Sequence, residues 1–156
     1  HARHHLCVWD ERSRAWFTGD TFGLSYRELD SDRGAFIVPT SSPVQFDPEP
    51  LKQSIARLLA VAPQAMFLTH YGRVEDVARL GADLVEQIDA MVHIGHQCDA
   101  RPDRHRCLVA ALTALYLERA QAHGCRLDDA AVTQVLAMDI ELNAQGLACW
   151  LDRERR

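Results

Sequence analysis

The hydrophobic period changes at Asp99-Ala100-Arg101-Pro102-Asp103, and that change constrains the fold more than any other feature of the sequence. Before it, short apolar runs of strand type alternate with helical stripes. After it, only the helical period remains. Residues 6–9 and 15–18 read as two short strands separated by the charged turn Asp10-Glu11-Arg12-Ser13-Arg14, and the second halts at Gly19-Asp20-Thr21. The run Ala35-Phe36-Ile37-Val38, closed by Pro39, reads as a third strand. Asp47-Pro48 has the chemistry of an N-cap and a first helical residue. Leu51, Ile55, Leu58 and Leu59 then recur at helical spacing up to Pro63.

Residues 65–69 form a fourth strand-like run that leads directly into His70, and Val77, Leu80, Leu84, Ile88 and Met91 make a second helical stripe to about residue 96. Beyond the break, Leu108, Leu112 and Leu115 share one face and Gly124 is a stop signal. A restart near Asp128 carries Val132, Leu136, Ile140, Leu147 and Leu151 on one face, with Gly146 a candidate break. The expected organisation is therefore an α/β part over residues 1–99 and a helical extension over 103–156.

Composition narrows the function classes. With 17 basic and 22 acidic side chains the net charge is −5, which argues against a nucleic-acid surface. Apolar residues make up 47%, too many for a disordered chain, yet no run approaches the roughly 20 residues of a membrane span. The partners expected are thus a small-molecule substrate, no nucleic acid and no membrane, with a homodimer through the C-terminal helices compatible with their apolar stripe. The five cysteines follow no repeating Cys-x-x-Cys spacing, so reduced thiols and a cytoplasmic setting are the expectation. A Cys98–Cys107 pair is the alternative at the loop between them.

Three features point to chemistry. His1-Ala2-Arg3-His4-His5 precedes the first strand, Asp20 stands where a strand gives out, and His70 ends another strand. Side chains just past strand ends in a helix-flanked sheet converge on a shared crevice. Imidazoles and a carboxylate meeting there suit zinc or iron.

The wording around these residues resembles the second half of the metallo-β-lactamase superfamily, particularly its glyoxalase II-like hydrolases. Phe17-Thr18-Gly19-Asp20-Thr21 matches the middle element of that pattern, Leu68-Thr69-His70 matches the last, and His1 with His5 reproduces the four-residue step of the first. The resemblance covers roughly residues 1–95. It implies half of an αββα sandwich followed by the helical extension. It also implies His1 and His70 as metal ligands, Asp20 as a catalytic and bridging carboxylate, His5 as support behind the ligands, and Tyr71 beside the site in contact with substrate. The cofactor implied is zinc, two ions in the complete protein, with iron as the alternative. The implied reaction is metal-activated hydroxide attacking a thioester, ester or lactone carbonyl.

The superfamily's His-x-His-x-Asp-His signature does not occur in the sequence. A preceding half that carries it is expected, and the present segment alone is expected to be inactive. Two further readings stay open: a persulfide dioxygenase-like enzyme with one iron, and a helical oligomerisation or binding module without activity. His93, His96, Cys98, His105 and Cys107 form a second group of donor residues, but their spacing fits no zinc-finger pattern. Arg101, Arg104, Arg106 and Arg153 lie among acidic neighbours and read as solvated helix faces.

Overall fold

The computed structural model describes residues 2 and 4–155. It is a mixed α/β molecule in which β1 (Val8–Asp10) and β2 (Ala15–Gly19) are followed by a long connection, α1 (Pro48–Leu59), β3 (Ala65–Leu68), β4 (Gly72–Val74), α2 (Val77–Cys98), α3 (Arg104–His123) and α4 (Asp129–Glu154). The sheet order is β1-β2-β3-β4. β1 and β4 flank antiparallel, while β2 and β3 run parallel, with the connection and α1 supplying the crossover such a pair needs. Among the described residues no helix is long and apolar enough to cross a membrane.

Helix boundaries follow local chemistry. α1 begins at Pro48, whose fixed φ suits the first helical position, with Asp47 extended before it. α3 stops at Gly124, whose left-handed φ of +83° lets its N–H return to the last turn. α4 starts where Asp128 Oδ1 accepts the Ala131 N–H at 2.8 Å. Gly146 does not break α4, which runs unbroken to Glu154. Its role is spatial, because a Cβ there would lie 2.3 Å from Ser41 Oγ on the connection packed against it.

One hydrophobic cluster runs from Phe22 on the connection, through Met66 and Val74 of the sheet and Leu80, Leu84 and Ile88 of α2, to Leu136, Leu147 and Leu151 of α4. The C-terminal stripe is thus core of this chain. The sheet's opposite face carries Val8, Phe17 and Phe67 in one register row. Phe17 stacks on Phe67 at 4.8 Å between ring centroids and remains 49% exposed.

Three sequence expectations are corrected. Residues 35–38 do not form a third strand and make only an isolated bridge, Val38 with Leu24. Side chains replace the missing ladder: Gln87 donates to the Ile37 carbonyl at 2.9 Å, Arg79 to that of Ala35, and the Phe36 N–H bonds Asp30. Buried backbone must be paired, and here Gln87 and Arg79 of α2 share the pairing with Asp30 and Leu24 of the connection. β4, by contrast, was not foreseen, since Gly72-Arg73-Val74 lacks an apolar run. Finally, Cys98 and Cys107 are joined in a disulfide between α2 and α3, so these two are not free thiols.

Candidate functional site

The parallel pairing of β2 with β3 brings two strand ends side by side. Gly19 is in register with Leu68, and the register slips between Phe17 and Gly19. Such a bulge re-aims the side chains that follow it. Asp20 and His70, the residues just beyond, come together with Nε2 of His70 3.8 Å from Oδ1 of Asp20. The carboxylate is the less exposed of the two, at 24% against 52% for the imidazole.

His5 closes the turn from the other side. Its Nε2 lies 3.1 Å from the Thr18 carbonyl, and its ring fills the space over Gly19. Gly19 has φ +52°, and a Cβ there would sit 1.8 Å from His5 Nε2. Both facts make glycine the fitting residue in Gly19-Asp20. His5 therefore buttresses the turn that presents Asp20. His1 lies outside the described residues.

Tyr71 lies beside His70, with ring centroids 6.1 Å apart, and half of it is exposed. Its φ of +73° is unusual for an aromatic residue, and Gly72 continues the turn at +92°. Tyr71 in turn packs on Tyr26, 4.4 Å between centroids. Tyr26 donates its hydroxyl to Asp139 Oδ2 on α4 at 2.6 Å. Burial, then the bond to Asp139 and the adjoining Tyr71, push the Tyr26 phenol well above its ordinary range. Burial likewise raises the Asp139 carboxyl, opposed by the Tyr26 hydrogen bond and by the field of His70. Tyr26 and Asp139 were missed in the sequence. The available signal was Asp139 itself, a charge with Asn143 in the otherwise apolar face of Val132, Leu136 and Ile140.

The donor set can be tested against a cation. Two donors on one tetrahedral zinc at bond lengths near 2.1 Å lie about 3.4 Å apart. The 3.8 Å between His70 and Asp20 is close to that, and the exposed imidazole has room to move inward. An imidazole nitrogen and a carboxylate oxygen are also the right chemical types. Among the described residues no group of three or more His, Cys, Asp or Glu side chains could hold a metal ion.

Among the described residues the other histidines and cysteines form no group of three or more metal donors. Cys98 and Cys107 are consumed by their disulfide. His93 bonds Gln97, His105 pairs with Glu141, and His96 lies edge-on to Trp150. Arg101 and Arg106 pair with Asp103, Arg104 with Asp99 and Asp152, and Arg153 caps the Val44 and Phe46 carbonyls. The Pro39–Pro43 stretch is tied to α4, through Asn143 to the Pro39 carbonyl and Ser41 to that of Leu142. No family model matches the chain, and no curated protein and no solved structure matches it.

Proposed function

We propose that the protein is a metal-dependent hydrolase of the metallo-β-lactamase superfamily, acting on a thioester, ester or lactone carbonyl. The observation that supports this most is the approach of His70 to Asp20 at the ends of adjacent parallel strands, 3.8 Å apart. The row of exposed Val8 and Phe17 and half-buried Phe67 supports the finer architectural reading, in which this sheet is one half of an αββα sandwich and a second sheet covers that face.

In this reading Asp20 and His70 hold the metal, with His1 as the further donor. Zinc, when bound, supplies Lewis acidity and lowers the pKa of coordinated water toward neutrality. The chain's own contribution is placement. His5 supports the backbone of the Thr18–Gly19 turn that carries Asp20. The β2–β3 ladder brings the strand ends that lead to Asp20 and His70 side by side. Tyr71 bounds one side of the site beside His70. No serine or cysteine nucleophile is required.

The test is hydrolysis of a panel of thioesters, lactones and 4-nitrophenyl esters by the zinc-loaded full-length protein and by its Asp20→Ala variant. Turnover that is abolished in Asp20→Ala, with the circular dichroism spectrum retained, is the expected result. Equal turnover in the variant removes Asp20 from the mechanism and the proposal with it.

A further inference from the structure

Asp139 is a buried carboxylate, 4% exposed, on a helix face otherwise given to Val132, Leu136, Ile140 and Asn143. Among the described residues no Lys, Arg or His lies within ion-pair distance of it. Removing a carboxylate from water without a counter-charge costs several kcal/mol, and an apolar residue of similar size would pack this face more favourably. The side chain lies within the field of His70 and accepts the Tyr26 hydroxyl at 2.6 Å, across 113 residues of sequence.

Tyr26 lies on the connection that leaves Asp20, and its ring supports Tyr71 at 4.4 Å. Tyr71 follows His70 directly and is held with φ at +73°. A non-glycine residue persists there when its surroundings over-determine it, and such positions cluster at functional sites. Asp139, Tyr26 and Tyr71 thus make a continuous chain of contacts from the helical extension to the side of the Asp20–His70 pair.

We propose that Asp139 is a positioning residue for the candidate site: through Tyr26 it fixes the Tyr71 ring as an aromatic wall beside His70 and Asp20, against which the planar acyl part of a substrate lies. The role rests on the metal-hydrolase reading of that pair. It gives the helical extension a part in substrate binding although it contributes no donor to the metal. A half-exposed aromatic face suits a flat, apolar acyl or aryl group, and stacking against it contributes to binding rather than to the chemical step.

The experiment has two arms. The chain contains three tyrosines, so ring-13C-tyrosine NMR spectra are simple, and Tyr71→Phe assigns the Tyr71 signal. In Tyr26→Phe and in Asp139→Ala the Tyr71 signal shifts. In Asp139→Asn, whose side-chain oxygen still accepts the hydroxyl, it returns toward the wild-type position. Tyr26→Phe removes a single oxygen and decides the matter if Asp139→Ala does not fold. In the second arm, zinc-loaded Tyr26→Phe hydrolysing 4-nitrophenyl acetate shows KM raised about fivefold with kcat little changed, the scale of one lost hydrogen bond. A Tyr71 signal unmoved in Tyr26→Phe overturns the positioning role while leaving the hydrolase reading intact. A full-length wild-type protein that, loaded with zinc, hydrolyses no ester, thioester or lactone overturns that reading, and the role in substrate binding with it.

Discussion

His5 occupies the space that any side chain at Gly19 would need, with its Nε2 1.8 Å from where a Cβ would stand. The two residues are interlocked: the glycine admits the ring, and the ring, 3.1 Å from the Thr18 carbonyl, pins the turn before Asp20. Gly19→Ala is therefore expected to expel His5 and to place alanine in the left-handed region. The conformational term alone costs about 1–2 kcal/mol. Urea unfolding of the variant measures it, and a midpoint equal to wild type contradicts the interlock.

The pairing of residues 35–38 with α2 in place of a strand ladder makes Gln87 a backbone partner. It is 2% exposed and donates to the Ile37 carbonyl and, one turn back in α2, to that of Asp83. Gln87→Leu preserves bulk and strips the donor, leaving a buried carbonyl unpaired at a cost of about 1–3 kcal/mol. Denaturant unfolding should show the loss, with the helical circular dichroism unchanged.

The Cys98–Cys107 disulfide closes a short loop of sequence separation 9 between α2 and α3. Loop-closure entropy puts its contribution at about 2–3 kcal/mol. Cys107→Ser should therefore lower the denaturant midpoint in the absence of reductant. With reductant present, wild type and variant should converge.

Acid should weaken the same corner of the molecule. Hydrogen bonds from Arg101, then from Arg106, hold the Asp103 carboxyl down to about 2, and Arg155 with Arg104 lowers Asp99. A carboxylate whose pKa is depressed by folding stabilises the fold above its ordinary pKa and loses that contribution as pH falls through the folded value. Asp103 thus begins to give up its share below its ordinary 3.8 and has lost most of it near pH 2. These groups are solvent-exposed, so the effect is small and salt-screened. Thermal unfolding of wild type and Asp103→Asn should differ slightly at pH 6 in low salt and coincide near pH 2.

Much of this architecture could be read from residue order because its signals are local. Asp47-Pro48, Gly124 and Asp128 mark helix ends by their own backbone chemistry, and Asp20 and His70 are recognisable as strand-end residues. What escaped the reading depends on partners distant in sequence. An apolar run such as 35–38 looks the same whether its carbonyls meet a neighbouring strand or Gln87 and Arg79. The pairing of Tyr26 with Asp139 has no local signature on the Tyr26 side, and only a lone carboxylate in an apolar helix face betrays it. Cys98 and Cys107 have the same spacing as thiols or as a disulfide, and only the folded approach of α2 to α3 decides between them.

Zinc titration calorimetry on wild type, Asp20→Ala and His70→Ala bears most directly on the central claim, that these two side chains hold a catalytic cation between strand ends. The expected result is a wild-type binding isotherm that weakens by more than about 100-fold in each variant, beyond what loss of an outer hydrogen-bonding partner costs. Zinc bound equally well by all three proteins would contradict it.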